Sequence, residues 1–165
     1  MAIRAGIVTV SDRGAMGQRE DISGKVAEEI LRGAGAEVLM REVVPDEVER
    51  IREVLLRGCE ELGLDLIVTT GGTGVSPRDV TPEATRGLID KELPGFSEAM
   101  RMEGFKKTPH AIISRGICGV RGKTLVVNLP GSPKAVKEGL EVILPAIPHT
   151  LEKVRGEEGE CARRD

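Results

Sequence analysis

Tryptophan and tyrosine are absent from the 165 residues, Phe96 and Phe105 are the only aromatics, and Gln18 and Asn128 are the only side-chain amides. A ring-shaped ligand must then be held mainly by backbone hydrogen bonds and aliphatic walls rather than by aromatic stacking. Few amides beside many Glu and Arg residues is a composition found among heat-stable proteins. Cys59, Cys118 and Cys161 are odd in number, widely spaced and without a Cys-x-x-Cys pair, which excludes a disulfide framework and a zinc site and points to a reducing cytoplasm. No apolar run approaches the roughly 20 residues a membrane helix needs, and the first apolar stretch runs into Asp12 and Arg13 instead of a cleavable small-residue site. A soluble, unprocessed cytoplasmic protein is expected. The net charge of −3 and pI near 5.6 give no overall electrostatic reason to bind nucleic acid or an acidic membrane. At 17.7 kDa the chain fits one domain, taken as residues 1–155, with 156–165 as a charged, flexible tail.

What is present is an alternation of two periodicities. Ile3 to Val10, Val38 to Val44, Leu66 to Thr70 and Thr124 to Leu129 are apolar, β-branched runs of strand length. Between them, Val26, Ala27, Ile30, Leu31 and Ala34, then Val48, Ile51, Leu55 and Leu62, recur at helical spacing, with Asp21 or Ser23 available to cap the first helix. Helical crossovers of a dozen or more residues require parallel strands, so the expected fold is α/β, a three-layer αβα sandwich on a mostly parallel central sheet. Leu93-Pro94-Gly95 breaks the chain before a helix over Phe96 to Lys107, and Thr108 to Gly122 should hold a turn of helix, a loop and a short edge strand. A helix follows Pro133, breaks at Pro145 and Pro148, and is succeeded by a last helix around His149 to Val154.

The chemistry is expected after the third strand, where Leu66 to Thr70 is cut off by Gly71, Gly72 and Gly74, with Thr73 among them. Three glycines in four positions let the backbone turn sharply and bring N–H groups to an anion. Arg78 and Asp79 follow, then a helix start with Thr81 as cap, Pro82 in the first helical position and Glu83 at the positive end of the dipole. Two familiar phosphate motifs fail here: the third glycine of a dinucleotide fingerprint is missing, and no P-loop lysine follows. Gly122-Lys123-Thr124 resembles the tail of a P-loop, but Ile117 stands where its first glycine belongs and a strand follows, so it is a decoy. Asp46 and Asp79 both fall just past strand ends. They would face the same sheet edge, where two carboxylates can share a magnesium ion carried in by a nucleotide, although helix cap and loop brace are their ordinary alternatives. Asp12 with Arg13, and Asn128 with Gly131, end two further strands at that edge, so four loops converge. Ser114-Arg115 can reach a ligand anion or form a solvated turn. His110 and His149 read as structural, Cys59 and Cys118 as buried, Cys161 as an exposed tail thiol, and Met100 and Met102 as core fillers.

Thr-Thr-Gly-Gly-Thr-Gly from Thr69 to Gly74, Arg78-Asp79-Val80-Thr81-Pro82-Glu83, Ser11-Asp12-Arg13, Pro45-Asp46, Pro94-Gly95-Phe96, Ser114-Arg115 and Asn128-Leu129-Pro130-Gly131 together resemble the Mog/MoaB family of molybdenum cofactor biosynthesis. The resemblance spans nearly the whole chain, and the Arg-Asp-Val-Thr-Pro-Glu segment favours its adenylyltransferase branch. It implies a homotrimer, or a hexamer of paired trimers, that uses Mg2+ and ATP as co-substrate to adenylylate the substrate molybdopterin, releasing pyrophosphate before the pathway's molybdenum-insertion enzyme acts as a partner. It further implies that Asp46 and Asp79 are the catalytic, magnesium-holding carboxylates. Contacts to nucleotide or pterin are implied for Ser11, Asp12, Arg13, Gly71, Gly72, Thr73, Gly74, Arg78, Ser114, Asn128, Pro130 and Gly131.

The residue inventory agrees with that chemistry. The attacking phosphate of molybdopterin is already an anion, so no histidine is needed to activate it. Two other readings remain: a MoaB-type paralogue that binds molybdopterin without adenylyl transfer, and a non-catalytic trimeric scaffold.

Overall fold

A computed structural model describes residues 2–157; the expected tail beyond Glu157, with Cys161, lies outside the described residues. The chain runs β1 (Arg4–Val10), α1 (Asp12–Ala15), α2 (Ile22–Gly33), β2 (Glu37–Val44), α3 (Val48–Leu56), β3 (Leu66–Thr70), α4 (Thr81–Arg86), β4 (Lys91–Glu92), α5 (Pro94–Phe105), β5 (Cys118–Arg121), β6 (Thr124–Leu129), α6 (Pro133–Ile143) and α7 (Ile147–Val154). A π-helical turn, Arg57–Glu61, extends α3, and 3-10 turns occupy Pro109–Ile113 and Leu144–Ala146.

The six strands form one sheet in the order β2-β1-β3-β6-β5-β4. The first four pair in parallel, whereas β5 runs antiparallel to both β6 and β4. Alternation along the strands assigns the two faces. Ile7, Leu66, Val68, Leu125 and Val127 pack with Ala27 and Leu31 of α2, Val136 and Leu140 of α6, and Ile147 and Leu151 of α7. Val8, Val10, Ile67 and Val126 face the opposite way, onto Ile51, Val54 and Leu55 of α3 and Ala84 and Leu88 beside α4. The expected three-layer α/β arrangement is the one observed.

Several local expectations are corrected. Pro94 does not break the chain but fills the first position of α5, where its missing N–H costs nothing. Pro148 likewise lies in the first turn of α7. The residues after Cys118 do not make the sheet edge, because the two-residue β4 pairs outside β5 through Lys91 and Glu92. Gly122 and Lys123 are the hairpin turn between β5 and β6, with Gly122 at φ +57. Thr81 is not the cap of α4: Val80 holds that place without a side-chain hydrogen bond, and the Thr81 hydroxyl donates to the Gly71 carbonyl at 2.9 Å. The Ser11-to-Gly17 loop contains the short α1, whose cap is Ser11. Met102 is 68% exposed and fills no core gap; Met100 does pack against the core. Cys118 is buried and its thiol is pushed up to about 12 by loss of solvent, whereas Cys59 is only half-buried.

Asn128 ties β6 to β3, to α4 and to the segment entering β5 from a position 1% exposed. Its amide nitrogen donates to the hydroxyls of Thr69 and Thr85, each at 3.0 Å, and its oxygen accepts from the Ile117 N–H at 3.2 Å. Asn128→Ala strands the Thr69 hydroxyl and the Ile117 N–H and takes one of two bonds from the Thr85 hydroxyl, which still donates to the Thr81 carbonyl, and each unsatisfied group costs roughly 1–3 kcal/mol. We expect a loss of about 3 kcal/mol, seen as a lower denaturation midpoint at unchanged slope; a midpoint within experimental error of wild type would refute this account of the residue.

Candidate functional site

The glycine turn at the end of β3 is wedged between its neighbours. Gly71 has φ +96, and a Cβ there would press into the Val10 carbonyl; Gly72 has φ +69, and a Cβ there would press into the Thr81 hydroxyl. Gly71 donates to the Leu129 carbonyl at 3.2 Å, and Thr81 N–H donates to the Gly72 carbonyl at 3.1 Å. The turn is thereby fixed to β1, β6 and α4 at once. Among the described residues, the N–H groups of Gly72, Thr73 and Gly74 make no hydrogen bond within the protein, which leaves three backbone donors available at the turn.

Two regions meet at the turn. On one side is a cleft of about 740 Å3, within the range of small-molecule sites. Its lining includes Gly72, Thr73, Gly74, Asp79, Ser114, Asn128, Pro130 and Gly131, eight of the residues anticipated from the sequence. Its walls are one face of α5, through Ser97, Met100, Arg101 and Gly104, and one face of α6, through Ala135, Glu138, Gly139 and Val142. Sequence reasoning missed the α5 wall. Apolar spacing marks which side of a helix meets the core, whereas a cleft between two helices distant in sequence leaves no periodic trace. His110 and Thr108 also line it, from the turn after α5.

On the other side lies a carboxylate ledge. The Asp12 N–H donates to Asp46 Oδ2 at 3.0 Å, and the Asp46 N–H donates to Asp12 Oδ1 at 3.0 Å, so two loops after neighbouring parallel strands are mutually locked. Arg78 grips Asp12 as a fork, Nε to Oδ2 at 3.1 Å and the terminal nitrogen to Oδ1 at 3.0 Å. The Arg78 hydrogen bonds, aided by the Asp46 N–H, hold the Asp12 carboxyl below its ordinary range. Asp46 is shifted the other way, upward, chiefly because burial penalises its charge and secondarily because the negative Asp12 and Asp79 face it. Asp46 is therefore not a helix cap: Glu47 precedes α3 and makes no side-chain cap bond. Asp46 Oδ1 lies 3.2 Å from the point where a Cβ on Gly72 would sit, and thus adjoins the turn.

The remaining anticipated residues fall into supporting places. Asp79 Oδ2 accepts the Ser76 N–H at 3.0 Å and lies 2.9 Å from the Cβ point of Gly74, bracing its loop while facing the turn. Ser11 is committed to the Gly14 N–H at 3.0 Å, and exposed Arg13 lies on α1, outside the cleft lining. The side chain of Asn128 is committed to its internal bonds, while the residue lines the cleft. Pro130 and Gly131 are held beside the turn: the Pro130 carbonyl accepts from Thr70 Oγ1 at 2.7 Å and the Gly131 carbonyl from Ser23 Oγ at 2.6 Å. Arg115 is neither a ligand arm nor a solvated turn residue. Its N–H donates to the Thr73 carbonyl at 2.8 Å, and its guanidinium to the carbonyls of Gly74 at 2.7 Å and Asp79 at 3.1 Å and to the Glu83 carboxylate.

A magnesium ion suits this donor set. Mg2+ binds through one or two carboxylates plus substrate phosphates and keeps several waters, so a closed protein cage is not required. Among the described residues no group of three or more His, Cys, Asp or Glu could hold a metal, while Asp46 and Asp79 both face the turn with hard oxygen donors.

A mostly parallel α/β sheet with a glycine turn, a carboxylate ledge and a roomy cleft at its carboxyl edge has the architecture of proteins with small-molecule sites at a sheet end. The chain belongs to the family described as the probable molybdopterin binding domain, whose model matches residues 6–149. It is 45% identical over 160 residues to the molybdopterin adenylyltransferase of Helicobacter pylori strain J99, covering 93% of this chain and 89% of that protein. It is 40% identical over 146 residues to the molybdopterin adenylyltransferase of Escherichia coli K12, covering 87% and 75%. The crystal structure of the molybdopterin biosynthesis enzyme MoaB from Thermus thermophilus is similar at 53% identity and a TM-score of 0.89, covering 94% of this chain and 98% of that one. The Mog/MoaB resemblance read from the motifs is thereby borne out.

Arg115 carries a local prediction. Lysine preserves the charge and loses the planar fork that holds two carbonyls and a carboxylate together. In Arg115→Lys the amide of residue 115 should exchange about tenfold faster, while amides of β1 and β3 keep wild-type protection in hydrogen-exchange mass spectrometry; unchanged exchange would show that the loop is held by other contacts.

Proposed function

We propose that this chain is a molybdopterin adenylyltransferase that joins the phosphate of molybdopterin to the AMP moiety of ATP in molybdenum cofactor biosynthesis. The observation that carries this reading is the meeting of cleft and carboxylate ledge at one donor-lined turn, supported by the adenylyltransferases at 40–45% identity over most of the chain.

In this mechanism the cleft takes molybdopterin, and the nucleotide's phosphates lie along the ledge. A phosphate oxygen of molybdopterin forms a bond to the α-phosphorus of ATP, the bridging α–β P–O bond breaks, and pyrophosphate leaves with that electron pair. The protein's task is to hold two anions together and offset the growing charge. The N–H groups of Gly72, Thr73 and Gly74 donate to phosphate oxygens, and Arg78, already fixed by Asp12, supplies positive charge beside them. Asp46 and Asp79 would hold Mg2+, which when bound neutralises and orients the nucleotide phosphates. Met100, Gly139 and Val142 give the pterin apolar walls, and Arg101 and Lys107 line the same cleft. Ser114 and the Pro130–Gly131 segment close around it.

We also propose that residues 1–155 act as one unit, that the protein assembles as a trimer, and that it works in the cytoplasm. Among the described residues no helix is long and apolar enough to cross a membrane.

The test is a coupled assay with purified protein, molybdopterin, ATP and magnesium, following pyrophosphate and the adenylylated pterin together. Asp79→Asn should remain folded and lose ~2–3 powers of ten in turnover, the scale of one preorganised charge contact, and Asp46→Ala should fail as severely. If molybdopterin binds but no pyrophosphate appears, the chain is a binding paralogue. A second expectation concerns pH. Metal binding needs the deprotonated carboxylate, and Asp46 takes up its proton above the ordinary 3.8 whereas Asp12 releases its proton below it. On acidification, magnesium-dependent nucleotide affinity should therefore fall in a window above pH 3.8, while the Arg78–Asp12 pair is still charged. Calorimetric titration of Mg-ATP across that range would show no such decline if Asp46 were not a ligand.

A further inference from the structure

We propose that Ser97 is a specificity-determining contact for the pterin, its hydroxyl completing its hydrogen bonding only with the polar ring edge of bound molybdopterin. Ser97 lines the cleft from α5 and is 3% exposed, and its Oγ is, among the described residues, the only buried side-chain polar atom without a hydrogen-bond partner. A helical serine ordinarily returns its hydroxyl to a carbonyl three or four residues back. Ser97 does not, so a buried donor and acceptor is left uncompensated, a condition that native proteins rarely tolerate without use.

The surroundings say what kind of group can serve it. Ser97, Met100, Arg101 and Gly104 share one face of α5 by helical spacing, and Met100 meets α6 so closely that a Cβ on Gly139 would come within 3.1 Å of its sulfur. Met100 and Gly104, with Gly139 and Val142 across the cleft, give apolar surface beside the hydroxyl, while the Arg101 guanidinium is taken up by the Ser114 and Gly116 carbonyls, which suits a fused ring inserted between the helices. Because Oγ is shut off from bulk water, a partner must arrive through the cleft. A pterin edge carries adjacent ring N–H donors and carbonyl or ring-nitrogen acceptors, so it can satisfy a hydroxyl in either sense. On the other side of Gly72, Arg78 and the Mg2+ that Asp46 and Asp79 would hold favour the nucleotide phosphates and leave the cleft to the pterin.

The inference rests on the placing of molybdopterin in the cleft proposed above. The experiment measures dissociation constants of wild type and Ser97→Ala for molybdopterin and, separately, for Mg-ATP, together with the melting temperature of each free protein. Ser97→Ala should bind molybdopterin about tenfold more weakly, the equivalent of one net hydrogen bond, with Mg-ATP affinity unchanged. Its melting temperature should be equal or higher, since removing an unsatisfied hydroxyl costs the free protein nothing. Equal molybdopterin affinity would overturn the proposal in favour of a hydroxyl served by trapped water. A lowered melting temperature would overturn it in favour of a structural role, and weakened Mg-ATP binding in favour of nucleotide in the cleft. Wild-type protein that binds no molybdopterin would instead overturn the functional reading itself, and this inference with it.

Discussion

No side chain fits at Gly71 and Gly72, and the site is built around that exclusion. The end of β3 lies between the ends of β1 and β6, so the Val10 carbonyl, the Leu129 carbonyl and the Thr81 hydroxyl all crowd the same turn. A backbone at positive φ with no Cβ is the one solution that lets these groups approach so closely. The parallel register of β1, β3 and β6 thus does more than form a core. It aligns three loops at one sheet edge, and Arg115 then straps the far side of the turn to the segment that follows.

Charge at this edge is divided unevenly, although the two central aspartates are chemically identical. Reciprocal amide-to-carboxylate bonds make the loops after β1 and β2 one rigid piece. Within it, Asp12 is held ionised by the Arg78 fork, and Asp46 is half-buried with its proton affinity raised. One carboxylate serves as an anchor for a guanidinium and the other keeps an oxygen turned toward the glycines. The division arises from position alone: Asp12 stands beside a cation, Asp46 against the turn.

The sequence was most legible where local chemistry and global placement agree. Strand periodicity, the glycine cluster and the charged pair at Arg78-Asp79 each point to a sheet-edge crevice, and Asp46 and Asp79 were locatable because both follow strand ends. Legibility failed where a residue's role depends on something distant in sequence. Thr81 has every mark of a helix cap, yet its hydroxyl is drawn to Gly71, ten residues earlier and adjacent in space. The internal role of Asn128 is equally hidden in the sequence, since its hydrogen bonds go to Thr69, Thr85 and Ile117, brought beside it only by the fold. The α5 wall of the cleft was invisible for the same reason, and β4, only two residues long, carries no periodicity to read.

The two margins of the sheet carry a consequence for how the chain survives its own synthesis. One margin is Lys91 and Glu92, both exposed; at the other, β2 presents Arg41, tied to Asp21 and Glu28, and Glu42, paired with Arg57. Parallel sheets assemble slowly because their contacts are far apart in sequence, so unfinished edges persist while the chain folds. A short charged ribbon on one side and an ion-paired one on the other make poor templates for a neighbouring chain's strand. Half-folded copies are thereby discouraged from polymerising edge to edge into insoluble cross-β stacks.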